Sequence, residues 1–210
     1  ANFVTIKYPG GISMRKQYFL TVLAIALAAL TFQTASAADN YEIDMAHSSI
    51  EFSVKHMMVT NVKGTFDTFS GTMLFDPDNI ENSSVDISID VSSVNTRNQK
   101  RDDHLRSADF FDAEKHAAIT FKSDKVMKKG DGYVVSGTLV LHGVSKKIDI
   151  PFILNGPVQN PWGKTAIGIE LEYKLNRKDF GLEWNKTMDN GGVVVGDEVK
   201  IEINIEATKS

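Results

Sequence analysis

Cysteine is absent from all 210 residues. That excludes disulfides, thiolate metal sites, thiol nucleophiles and attached haem, so the fold must be held by its apolar core alone. A basic surplus is also missing: 23 Lys and Arg stand against 27 Asp and Glu, a formal charge of −4. Nucleic acid and anionic lipid surfaces both select clustered cations, so neither is an expected partner of the whole molecule. Only one long apolar run occurs, at residues 19–30. Nothing after it is expected to cross a bilayer as a helix.

Catalytic signatures are equally scarce. No G-x-S-x-G nucleophile elbow occurs, although Ser48, Ser49, His47, His104, Asp102 and Asp103 supply hydrolase-type groups. Gly191-Gly192 lies between strand-like segments and opens no helix, so it is no phosphate loop. The five histidines, His47, His56, His104, His116 and His142, include no pair at a spacing that puts two on one face of an element. The sequence therefore gives no support to an enzyme and implies no cofactor or metal.

What is present begins with an address. Met14-Arg15-Lys16 is a basic start, residues 19–30 are apolar, and Ala35-Ser36-Ala37 is a small-x-small step. This is the three-part pattern of a secretory signal over 14–37, cleaved near Ala37, on a chain exported from a bacterial cytoplasm. Residues 1–13 precede the natural-looking start and read as an upstream extension or artefact. Cleavage leaves 173 residues (210 less the first 37) as one domain, 38–210, long enough for a substantial core. Losing Lys7, Arg15 and Lys16 and no acid moves the formal charge from −4 to −7.

Beyond the leader the dominant signal has period two. Val199, Ile201, Ile203 and Ile205 alternate with Glu198, Lys200, Glu202, Asn204 and Glu206. Successive side chains of a strand point to opposite faces, so this is an antiparallel-type strand with one dry and one wet face. The same pattern recurs through Ile167, Ile169, Leu171, Tyr173 and Leu175, through Val85, Ile87, Ile89 and Val91, and through Ile148, Ile150, Phe152 and Leu154. Another such row is Ile50, Phe52, Val54 and His56. The apolar phase switches between Phe66 and Phe69, which predicts a bulge or sharp bend.

Turn chemistry separates these rows at Asp76-Pro77-Asp78-Asn79, Lys129-Gly130-Asp131-Gly132, His142-Gly143, Asn155-Gly156-Pro157 and Asp189-Asn190-Gly191-Gly192, each a predicted hairpin connection. Residues 95–115 are polar and predict a short helical crossover. The expected fold is all-β, a barrel or a sandwich, with long strands favouring the barrel. Apolar inward rows ordinarily mean a solid core; a barrel of about eight strands also has room for one slender ligand. An Arg and an Asp two apart, as at Arg177 and Asp179, can tie a strand end by pairing, or can meet the polar head of a ligand.

The motifs His47-Ser48, Lys55-His56, Gly64-x-Phe66, Arg101-Asp102-x-His104-Leu105 and Asp109-Phe110-Phe111 are followed by Ile119-Thr120-Phe121, Gly137-x-Leu139-x-Leu141-x-Gly143, Asn176-Arg177-x-Asp179-Phe180-Gly181 and Gly196-Asp197-x-Val199. As an ordered set this resembles the YceI-like family of periplasmic polyisoprenoid-binding proteins. It departs at His116-Ala117, where members often have Tyr-Pro. The resemblance implies an eight-stranded antiparallel lipocalin-like barrel, with a short helical crossover around 95–115 and an apolar tunnel for an isoprenoid or other long-chain lipid. It further implies a periplasmic location and a possible homodimer. The tunnel would be lined by Phe52, Val54, Ile87, Ile89, Phe121, Leu139, Ile169, Leu171, Tyr173, Ile201 and Ile203. A head group would sit at a mouth near His56, Arg101, His104, Arg177 and Asp179. The alternative is a stress-related cell-envelope structural or interaction module, with a solid core and no lipid ligand.

Overall fold

The alternating rows form strands, and the computed structural model describes residues 38–189 and 191–210 together with Thr5. The expectations for 14–37 and, Thr5 aside, for 1–13 fall outside the described residues. In chain order the strands are β1 (Asp39–Ile43), β2 (Ser49–His56), β3 (Thr60–Phe66), β4 (Phe69–Phe75), β5 (Ser84–Asp90), β6 (Val94–Asn95), β7 (Ala118–Lys129), β8 (Gly132–Leu141), β9 (Val144–Gln159), β10 (Thr165–Asn176) and β11 (Val195–Lys209). One short helix, α1 (Gln99–Arg106), lies between β6 and β7.

Every pairing is antiparallel, and the sheet closes on itself. β11 pairs with β2 along Val195–Asn204 and then with β1 along Ala207–Lys209, so β1 and β2 are one stave with a break. β3 and β4 follow the same path against β2 and β1, and β5 and β6 against β4 and β3. These three staves, together with β7, β8, β9, β10 and β11, make an eight-stranded up-and-down barrel. Closure removes the exposed edges that an open antiparallel sheet would leave.

The three breaks are short, and two of them are capped. Asp44 accepts from the Ala46 N–H at 2.9 Å at the head of a 3-10 turn, Met45–His47, between β1 and β2. Asp90 does the same for Ser92 at 2.8 Å between β5 and β6. Between them lies Asp67-Thr68, the bend predicted from the change of phase after Phe66. Here Asp67 N–H donates to Ser93 C=O and Asp90 N–H to Thr68 C=O.

Asp76-Pro77-Asp78-Asn79 turns the chain after β4 as expected. Asp76 is 1% exposed, and its carboxylate accepts from the Asp78 and Asn79 N–H groups (2.9 and 3.0 Å) and from Asn82 Nδ2 (2.8 Å). The Asn82 bond first, then the backbone donors, hold this carboxyl below its usual range. A depressed carboxyl contributes stability that is complete above its unfolded value, about pH 4, and is lost as pH falls through the folded value. Asp76→Ala is expected to lower the thermal midpoint by a few degrees at pH 7 and to flatten the acid limb of stability, as thermal melts across pH would record.

Asn155-Gly156-Pro157 corrects a prediction. It makes no hairpin but lies inside β9, where the register against β10 shifts between Ala166 and Gly168. Gly156, at φ +91°, absorbs the bulge. The connection falls later, at Asn160-Pro161-Trp162-Gly163, where Asn160 Oδ1 accepts from the Trp162 and Lys164 N–H groups. Turn and bulge both select Gly and Pro, so composition alone does not separate them.

α1 is the crossover read from 95–115. Asn98 caps its first turn by accepting from Arg101 N–H at 3.1 Å. Asp102, buried in that turn, accepts from Thr96 N–H (2.8 Å) and Thr96 Oγ1 (2.5 Å), which pins the helix to the chain leaving β6.

Candidate functional site

The inward faces do not meet. They enclose a cavity of about 430 Å³, walled almost entirely by hydrocarbon. All eleven residues read as lining stand on its wall: Phe52, Val54, Ile87, Ile89, Phe121, Leu139, Ile169, Leu171, Tyr173, Ile201 and Ile203. Register explains the grouping. Ile87 faces Phe121, Phe121 faces Leu139, Leu171 faces Ile203, and Tyr173 and Phe52 flank Ile201. Cross-strand partners share a face, so each apolar row continues its neighbour's around the barrel.

Two motif glycines shape this wall. A Cβ at Gly137 would come within 2.5 Å of the Phe121 ring, and one at Gly64 within 2.4 Å of the Phe52 ring. Only glycine lets those rings lie against the neighbouring strand.

The two ends of the cavity differ. At one end the buried Met73, Phe75 and Ile167 line it, with Tyr41 packed edge-on against Phe75. The other end is bordered by α1 and by the segment between β10 and β11. There the half-buried His56, Arg101, His104, Trp184, Val194 and Val195 line the cavity. His104, Phe110 and Trp184 form a mutual ring cluster with centroids 4.9–5.0 Å apart.

Charge gathers at this second end. Arg101 donates from Nε to Thr96 Oγ1 (2.7 Å) and from Nη2 to Thr96 C=O (3.0 Å). Among the described residues no carboxylate lies within ion-pair reach of it. His104 is held by Asp109 at 2.8 Å. Arg177 borders the cavity but is 3% exposed and fully engaged: Nε donates to Gly196 C=O (2.9 Å), Nη1 to Leu182 C=O, and Nη2 to Asp197 Oδ1 (3.4 Å). Burial lowers its pKa, and the nearby Asp197 opposes that shift. Arg177 is thus a clasp between the end of β10 and the start of β11.

Asp179 is where the predicted mouth departs from the structure. It does not line the cavity, and it pairs with Lys146 at 3.5 Å rather than with Arg177. The chain turns through a 3-10 segment, Arg177–Phe180, that sends the two side chains apart.

Phe110, Leu182, Trp184, Val194 and Val195 also line this end, although no alternation marks them. Two further meetings are invisible to spacing. The His116 and His142 rings lie 4.7 Å apart, and Asp44, His47 and Glu206 bring ligand-type atoms within 4.8 Å of one another. His47 Nδ1 is hydrogen-bonded to Asp44 Oδ2 at 2.9 Å, which accounts for that group as a surface pair.

Known proteins share this architecture. A family model described as the YceI-like domain matches residues 41–207. A UPF0312 protein of Vibrio campbellii is 41% identical over 201 residues, 93% of this chain and all of that protein. The crystal structure of the Campylobacter jejuni YceI protein superposes with a TM-score of 0.65 for one cysteine variant and 0.64 for the unsubstituted form, at 35% identity, covering 74% of this chain and 90% of that one. A polyisoprenoid binding domain from Saccharophagus degradans, implicated in plant cell wall breakdown, gives 0.62 at 18% identity, covering 81% and 98%. At that identity the last likeness carries the fold alone.

Proposed function

The chain belongs to the YceI-like family, and from that premise we propose that it binds one long-chain isoprenoid or similar amphiphilic lipid in the barrel tunnel, without catalysis. The single observation that carries this is the cavity: about 430 Å³, hydrocarbon-walled, with His56, Arg101 and His104 on its lining at one end. Its size lies within the roughly 300–1,000 Å³ of small-molecule sites. The Saccharophagus domain, with the same fold, is described as polyisoprenoid-binding. In the proposed complex the tail lies along Phe52, Leu171, Tyr173 and Ile203, and the head group meets His56, Arg101 and His104.

Binding of this kind needs no covalent step. About ten buried methylenes at roughly 0.8 kcal/mol each supply near 8 kcal/mol, the range of micromolar affinity. Arg101, which pairs with no acid among the described residues, suits a polar or anionic head. With the export signal, the proposal places the protein in the periplasm, where a lipid tail in water requires an escort.

The solid-core alternative lacks support, because the inward side chains stand off from one another around empty space. Protein purified from its own host is expected to carry a long-chain lipid, seen as a discrete mass increment in native mass spectrometry and recovered by solvent extraction. Absence of such a lipid, together with failure to bind a hydrophobic fluorescent probe, would refute the reading.

A further inference from the structure

The β2–β3 hairpin ends on Met57, Met58 and Val59, which are 41%, 60% and 78% exposed. Its turn is closed by Val59 N–H donating to His56 C=O at 3.1 Å, with Met57 and Met58 at φ +48° and +62°. Two central residues at positive φ form the kind of tight turn in which Asn-Gly is favoured, because Cβ crowds the backbone there. A pair of methionines is a poor choice for the turn itself. Strain of this kind persists where it serves a role beyond local stability.

The position of the tip indicates that role. Met57 N–H donates to Val194 C=O at 2.8 Å, and Val194 N–H to Lys186 C=O. His56, Val194 and Val195 line the α1 end of the tunnel, and Val193 beside them is exposed. The apolar tip therefore lies directly beside residues of the tunnel lining. Lys55 and Lys186 flank it, both exposed, and among the described residues neither meets an acid within ion-pair distance. Apolar side chains that reach below the head groups, with lysines level with the phosphates, match the interfacial layer of a bilayer.

We propose that this hairpin is the foot by which the protein docks on a neutral phospholipid bilayer, bringing the tunnel mouth to the lipid surface; the inference rests on the lipid-binding reading above. Insertion of the tip drives the contact. The acidic remainder of the molecule gives no long-range attraction, so a phosphatidylcholine surface suffices. Docking at this end lets a tail pass from bilayer to tunnel without crossing water.

The test is flotation of the purified protein with phosphatidylcholine vesicles, alongside binding of a hydrophobic probe in vesicle-free solution. Wild type is expected to float, and Met57→Ser/Met58→Ser/Val59→Ser to lose at least about tenfold in partitioning with probe binding unchanged. Met57→Asn/Met58→Gly separates docking from folding. It relaxes the turn and is expected to raise the melting temperature while weakening flotation. Trp162→Ser, at an 81%-exposed apolar residue on the β9–β10 hairpin at the opposite end of the barrel, is expected to change nothing. Docking is overturned if wild type binds the probe but does not float, if the tip variants float as wild type does, or if Trp162→Ser alone releases the protein. It is equally overturned if the tip variants dissociate a dimer, which would make the hairpin a contact between copies. Failure of wild type to bind the probe overturns the tunnel reading itself.

Discussion

Leu171→Trp is expected to lower affinity for a long-chain hydrophobic probe about a hundredfold while leaving the fold intact. Leu171 sits mid-way along β10, opposite Ile203 on β11, with its side chain on the cavity wall. An indole there obstructs the bore and denies the ligand the wall beyond it. Three or four methylenes at roughly 0.8 kcal/mol each amount to about 3 kcal/mol, or two decades of affinity. The accompanying thermal melt makes the variant informative. In a packed core the larger ring would cost about 1–3 kcal/mol through overpacking. In an open tunnel it fills space, so the midpoint should hold or rise. A fluorescence titration and a melt on the same sample distinguish the two, and a destabilised variant with unchanged probe affinity would count against the tunnel.

The second large effect belongs to Arg177. Arg177→Leu is expected to destabilise the barrel by about 3 kcal/mol, because it leaves the Gly196 and Leu182 carbonyls without their donor. Asp197→Asn should cost under about 1 kcal/mol, since that carboxylate is half exposed, its contact with Arg177 is long at 3.4 Å, and its closer pair with Lys178 (2.9 Å) is exposed. Urea denaturation of the two variants measures the difference. Equal losses would mean that the ion pair, and not the carbonyl clasp, holds β10 to β11.

Much of the barrel was readable from alternation. The period of two in β2, β5, β10 and β11 assigned their side chains to faces, whereas the lining set was named from the resemblance and includes Phe121 on β7 and Leu139 on β8. The assignment of faces is local physics: in a strand the face follows from parity alone. The phase change after Phe66 likewise located the bend between β3 and β4.

The misreadings have a shared cause. Asn155-Gly156-Pro157 carries turn chemistry, yet whether it reverses the chain or bulges within it depends on how far β10 pairs alongside. Arg177 and Asp179 are neighbours in sequence, but Arg177 is satisfied from β11 and from Leu182, and Asp179 by Lys146. The ring cluster of His104, Phe110 and Trp184 joins segments far apart in the chain. Each case turns on a partner that spacing does not reveal.

The sequence by itself determined which side chains point inward and that they are hydrocarbon, because parity and composition are properties of a segment. Only the tertiary structure decided that those side chains stand apart around a cavity instead of interlocking, that Phe75 and Ile167 line one end and His104 and Trp184 the other, and that Arg177 is a clasp. The bore of a barrel is fixed by the number and stagger of its strands once the ring has closed. Closure depends on all eight staves together, and no single strand encodes it.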